Sequence, residues 1–199
     1  MLRDTDPGKG AAGAAQWVKV TAPALVFLAC RWMLQAACRT AWAEAAGTGL
    51  LLAAFSVLYF RQSRPEPIGV RKVLREALLY VISGLAAGGL LCLIAGGENG
   101  NRSMAAVLLV CALAPACEEI VYRGLVFETA EKPFGFVPAL IVSTALFACG
   151  HRTPAQIATA VPAGLVLGTI RKKEGNILAP VFFHAALNAA ALIFAAQAG

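Results

Sequence analysis

Apolar runs of near membrane-spanning length follow one another along almost the whole of this chain, broken only by short polar linkers. That pattern fixes the fold class before any motif is considered. The runs fall at about 17–38, 45–60, 76–96, 103–127, 136–152, 154–170 and 177–197. A helix needs about 20 residues to cross the hydrocarbon. By that measure the runs at 45–60, 136–152 and 154–170 are short and ask for tilt, bilayer thinning or incomplete spanning. With 59% hydrophobic and 14% charged residues, this chain cannot hide its apolar surface in one soluble core. The runs also lack the alternation of a membrane β-barrel. The chain reads as an all-α, polytopic transmembrane helix bundle of about seven spans, six to eight by the choice of boundaries, with no soluble domain.

The net charge of +6 belongs to this topology and not to nucleic acid. Arg61, Arg64, Arg71, Lys72 and Arg75 cluster in one linker, and Arg171, Lys172 and Lys173 in another. The excess of Lys and Arg on cytoplasmic loops places both linkers and the amino terminus in the cytoplasm and the carboxyl terminus outside. Residues 1–15 read as a disordered cytoplasmic tail; Asp4, Asp6 and Pro7 precede any apolar run, unlike a secretory signal. Residues 16–70 read as two amino-terminal membrane segments with the basic linker, and 71–199 as a catalytic core. Lys19 and Arg31 interrupt the first run, and a mid-span Arg31 is costly. The six cysteines form no C-x-x-C pair and read as small core residues. Gly84/Gly88 and Gly164/Gly168 have the spacing of close helix contacts, a pattern that chance supplies easily in an Ala/Gly-rich chain.

Ionisable groups inside such runs mark function. Both histidines of the chain, His151 and His184, lie in apolar runs, and the fourth run carries Glu118, Glu119 and Arg123. Residues four apart on a helix share a face, so Glu119 and Arg123 are placed to form a buried ion pair. Glu118, five before Arg123, lies roughly 140° away from it by the 3.6-residue turn. It is left as an unpaired carboxylate in low dielectric, the setting of a general base or acid working near neutrality. Tyr122 shares the Glu118 face, either to orient it or as an interface tyrosine. Phe147 and His151 stand one turn apart near the end of the fifth run, where an interfacial histidine is the plain alternative. His184 and Asn188, again four apart, point the same way; the pair suits a helix–helix hydrogen bond or oxyanion stabilisation. A carboxylate, an imidazole and a His/Asn pair are the parts for activating water and stabilising a tetrahedral intermediate. On these boundaries, however, His151 lies near the outer end of its run and His184 nearer the inner end of its own, so their depths do not meet at 1.5 Å per residue.

E-E-x-x-x-R, F-x-x-x-H and H-x-x-x-N, each in its own apolar run, resemble the motifs of the CAAX prenyl protease and bacteriocin-processing (CPBP) family of intramembrane glutamic endopeptidases. The resemblance covers about residues 75–197, and residues 1–70 carry none of it. It implies hydrolysis of a peptide bond in a membrane-associated protein or peptide, in the bilayer and without a cofactor. It implies that Glu118 activates the water with help from His151, and that His184 and Asn188 stabilise the oxyanion. Glu119 and Arg123 would hold the site together, and Phe147 would pack beside it. In the characterised prenyl-processing members, cleavage falls near the substrate's carboxyl terminus. Three other readings stay open. One is a non-enzymatic membrane scaffold or bacteriocin-immunity-type protein that retains the fold. A second is a zinc hydrolase with Glu118, His151 and His184 as ligands, a legitimate set although H-E-x-x-H is absent. The third is a proton-coupled transporter, against which stands the lack of a repeated half. A cysteine nucleophile is disfavoured, because Cys149 is off the His151 face and Cys117 has no placed base.

Overall fold

A computed structural model of the chain describes residues 7–95 and 103–195, and over these its only regular elements are helices, with no strand. The helices are α1 (Pro7–Ala37), α2 (Ala41–Ser63), α3 (Val70–Ala95), α4 (Met104–Phe134), α5 (Phe136–Ala148), α6 (Pro154–Glu174) and α7 (Leu178–Ala195). Four of them are long and apolar enough to cross a membrane: α1 over Gly13–Ala37, α2, α3 as far as Leu93, and α4. Helices α5 and α7 are apolar but shorter.

The boundaries depart from the sequence reading in several places, among them the start of α3 at Val70 and the end of α4 at Phe134. Helix α1 starts at Pro7, so residues 7–15 are helix and not tail; proline suits a first helical position because its missing N–H would have had no partner there. Residues 1–6 of the expected tail lie outside the described residues. Helix α2 is not short. Thr40 caps it by accepting from the Ala43 N–H (3.2 Å), and it ends where Arg64 turns left-handed (φ 45°) just before Pro65. Helix α6 runs on through Arg171, Lys172 and Lys173 to Gly175 (φ 71°), because cations are favoured at the negative end of the helix dipole. Helix α5, with 13 residues, is short as expected.

Helix α4 is not regular. Two stretches, Leu109–Leu113 and Ile120–Phe127, are π-helical, and they flank the segment that carries Glu118 and Glu119. Such widened turns are frequent at functional sites.

Both glycine pairs turn out to be contacts. A Cβ on Gly88 would stand 2.7 Å from both Ala190 Cβ and Leu187 O, and one on Gly84 would stand 2.9 Å from Ala186 Cβ. Helix α3 can therefore lie backbone-close against α7. A Cβ on Gly164 would come within 2.8 Å of Thr144 Cγ2, and one on Gly168 would strike Leu140, which brings α6 against α5.

The two basic linkers meet at one end of the bundle. Arg171 pairs with Glu128 (3.2 Å) and Lys172 with Glu131 (2.7 Å), joining α6 to the end of α4. The Tyr80 hydroxyl donates to Glu174 (2.7 Å), and Asn176 donates to both oxygens of the buried Glu76 (3.1 and 3.0 Å). Asn176 Oδ1 also accepts from Leu178 and Ala179 N–H, which caps α7. Trp17 stacks on Phe134 (centroids 4.2 Å apart), so the start of α1 lies at this same end.

Candidate active site

Glu119 and Arg123 form the buried pair that their spacing foretold. Arg123 Nη1 donates to Glu119 Oε1 at 2.9 Å, and both side chains are fully buried. The guanidinium has two further anchors. Its Nη2 donates to Gly164 O (3.1 Å), and its carbon lies 4.5 Å over the Phe147 ring. Gly164 thus serves twice, opening room for α5 and offering Arg123 its carbonyl. Glu119 Oε1 also accepts from His184 Nδ1 at 2.8 Å, so the carboxylate joins α4 to α7. Because a carboxylate here can only accept, His184 carries its proton on Nδ1 and turns Nε2 toward the Glu118 side. Glu118 Oε2 lies 3.9 Å from that Nε2.

Phe147 sits at the centre of the site. Its ring meets His151 (5.0 Å), His184 (5.5 Å) and Tyr122 (5.5 Å) edge to face. The two histidines therefore share one neighbour, although straight spanning helices had set them at different depths. Helix α5 rises only about 20 Å at 1.5 Å per residue, and His151 follows its last residue, Ala148, by three positions. At the other end α7 starts low, tied through Asn176 to the buried Glu76. The turn that carries His151 is tightly specified. Gly150 N–H and His151 N–H return to Phe147 O and Ala148 O (3.0 Å each), and Thr153 with Gln156 forms a capping box ahead of Pro154. His151 Nδ1 donates to Phe147 O at 3.1 Å. A carbonyl only accepts, so Nε2 of the neutral ring is the basic atom.

Asn188 is held by the irregular stretch of α4. The Ala114 N–H bonds Leu109 O, five residues back, and Pro115 has no N–H to give to the next carbonyl, Val110. Asn188 Nδ2 takes that vacated carbonyl at 2.9 Å. The amide retains a second N–H and its oxygen.

Glu118 differs from the expectation. It is not unpaired: Arg31 of α1 brings Nη2 to 3.8 Å from Glu118 Oε1. Arg31 is the costly mid-span cation of the first run, and its position is explained by this carboxylate. The adjacent carboxylates Glu118 and Glu119 thus meet two guanidiniums, one from α1 and one from α4. The two pairs differ in kind. Arg123–Glu119 is short and sealed, whereas Arg31–Glu118 is long, with 18% and 15% of the side chains exposed. Glu118, His151, His184 and Asn188 all line a single cavity of about 540 Å³, together with Arg31, Tyr122 and Phe147. Glu118 and Glu119 approach His184 through different ring nitrogens and so do not converge on one point, and no three His, Cys, Asp or Glu side chains among the described residues are grouped to hold a metal ion.

Residues 100–190 match a protein family described as Rce1-like, the type II CAAX prenyl endopeptidase Rce1-like family. This is the family that the motifs resemble. All seven motif residues, from Glu118 to Asn188, fall within the matched stretch, whereas α1, α2 and α3 lie outside it. No curated protein and no solved structure matches the chain. Over that stretch the chain is similar to a protease family, and its apolar helices point to a membrane protein.

Proposed function

We propose that this chain is an intramembrane endopeptidase that uses Glu118 and His151 to activate water and His184 with Asn188 to stabilise the oxyanion. One observation carries the reading: these four side chains, from two helices and a turn that are distant in sequence, line one cavity inside an apolar bundle. A water beside Glu118 gives up a proton as its oxygen attacks the peptide carbonyl carbon, and the carbonyl electrons move onto oxygen. Donors positioned where that negative charge develops lower the barrier. The second N–H of Asn188 is available for this, as is Nε2–H of His184 in its doubly protonated form, with Glu119 as its counterion. The captured proton passes to the amine as the C–N bond breaks, leaving a carboxylate and a new amino terminus. The basic linkers, with the amino terminus, lie on the cytoplasmic side by the positive-inside rule.

The test is peptide-terminus mass spectrometry on membranes of cells that express the full chain, Glu118→Gln or His151→Ala. Termini that depend on the parent and vanish in both variants are expected. Their absence with the parent, or their persistence at the parent's level with Glu118→Gln, overturns the reading.

A further inference from the structure

Tyr122 shares the Glu118 face of α4, and spacing alone allows it either an orienting role or a place at the membrane interface. Its burial excludes the interface. The side chain is 1% exposed, and its ring packs edge to face against Phe27 (5.9 Å) and Phe147 (5.5 Å). A buried tyrosine usually gives its hydroxyl a partner. Here the ring is fully packed, yet the hydroxyl bonds to no group among the described residues. Its oxygen is not sealed in either, because Tyr122 lines the cavity that holds Glu118 and His151.

The hydroxyl has a definite position. A Cβ built on Gly150 would stand 3.5 Å from the Tyr122 oxygen, in ordinary contact. Gly150 directly precedes His151 in the α5–α6 turn. The phenol therefore reaches from the Glu118 face of α4 to the turn that carries His151. His184 and Asn188, the groups read as oxyanion donors, stand apart from it on α7. Glu118, Tyr122 and His151 form no hydrogen bond with one another among the described residues, although all three line one cavity. Polar groups that face one space without touching are commonly linked through water.

We infer that Tyr122 is a further catalytic residue, whose hydroxyl donates to the hydrolytic water and selects the lone pair that attacks. The inference rests on the hydrolase reading above. The three groups match the capacities of one water. Glu118 as a carboxylate only accepts, and His151 presents Nε2 as an acceptor because its Nδ1 donates to Phe147 O. These two take both protons of the water. The phenol, which donates, takes one of its two lone pairs. The remaining lone pair is the one free to form the C–O bond, while the carbonyl π electrons move onto oxygen. A proton of the water passes to the base as before, and the phenol keeps its own throughout. Without the hydroxyl the water can offer either lone pair, and fewer of its orientations are productive.

Tyr122→Phe removes one oxygen and keeps both ring contacts. The full-length parent and this variant are compared in mixed micelles on a peptide that spans a parent-dependent cleavage point, with thermal unfolding read on the same preparations. The expected kcat is roughly tenfold to a hundredfold below the parent's, the loss of one donor to an oxygen that gains charge as its proton leaves. KM should stay within about twofold of the parent's, as for an interaction made in the transition state. The unfolding midpoint should equal the parent's or exceed it, because the hydroxyl has no protein bond to lose. An unchanged kcat overturns the role. A loss confined to KM overturns it too, and would make the hydroxyl a substrate-binding group. A lower midpoint, or a variant that does not fold, assigns the hydroxyl to the fold and likewise overturns the role. If no parent-dependent termini form, the hydrolase reading fails and this role fails with it. If the parent cleaves and Tyr122→Phe cleaves equally well, only the role of Tyr122 is lost.

Discussion

Arg123→Met is the sharpest test of the site's construction. Arg123 is fully buried and makes three contacts: Glu119 at 2.9 Å, Gly164 O at 3.1 Å and the face of Phe147 at 4.5 Å. Methionine keeps the unbranched shape but offers no donor. Removing one partner of a buried pair costs about 3–5 kcal/mol, because the other charge stays behind. The abandoned Gly164 carbonyl adds about 1–3 kcal/mol. Against this, His184 still donates to Glu119 at 2.8 Å, so that carboxylate is not stranded. The net loss should therefore be about 3–5 kcal/mol, or roughly two to three and a half orders of magnitude in the folding constant. The double variant Arg123→Met/Glu119→Met removes both charges, and well-packed apolar replacement of a buried pair is often neutral or stabilising. It should unfold later than Arg123→Met alone. It also strips His184 of its acceptor, so it should be folded and inactive. The assay is equilibrium unfolding in mixed micelles, with cleavage measured on the same preparations. A single variant within about 1 kcal/mol of the parent, or a double variant less stable than the single, would refute the argument.

Three further outcomes follow from other parts of the molecule. Gly88→Val should cost about 1–3 kcal/mol or more and depress cleavage, because the new side chain meets α7 beside Asn188, whereas Gly49→Ala, with open space around it, should be neutral or stabilising; equal effects in thermal unfolding would contradict the packing. Arg31→Gln should lower kcat by roughly tenfold or more with KM little changed, and Arg31→Lys should restore part of it; a change confined to KM would mean that Arg31 does not act through Glu118. Glu174, beyond the apolar part of α6, is held below its ordinary value of 4.5 chiefly by the Tyr80 hydroxyl, and Lys173, Arg75 and Lys72 add to this. The unfolded chain therefore takes up that proton first, so the stabilisation is full above about pH 4.5 and is lost as pH falls through the folded value. Tyr80→Phe should flatten this acid limb in unfolding measured against pH, and an unchanged limb would exclude the contact as its source.

The elements that could be read from the sequence are those governed by spacing within one helix. Glu119 with Arg123 followed from the four-residue repeat, and so did the alignment of Phe147 with His151. What could not be read depends on contacts between helices. Arg31 looked like a defect in the first run because its partner, Glu118, lies on α4. His184 was read for its shared face with Asn188, yet its Nδ1 contact is Glu119 on α4. The π-helical stretches left one visible trace, Pro115 within an apolar run, and nothing in the sequence tied it to Asn188. The glycine pairs were discounted because composition alone produces them. Only the backbone of α7 lying against Gly84 and Gly88 distinguishes a contact from chance.

The two histidines are not interchangeable, and the difference lies in what each Nδ1–H is given to. His151 donates to a backbone carbonyl, a neutral acceptor fixed by the turn that carries the ring. That bond sets the tautomer without supplying a counterion, which suits a group that takes a proton and gives it back. His184 donates to a buried carboxylate. A counterion at that distance can support a positive ring when negative charge develops on the substrate oxygen, the task of an oxyanion donor. Arg123 completes the arrangement by holding Glu119 while its guanidinium lies over the Phe147 ring, which both histidines meet edge to face. The Glu119–Arg123 pair is therefore more than a fold anchor. By giving His184 a charged acceptor where His151 has a neutral one, it would divide the work of the proposed reaction between two otherwise identical side chains.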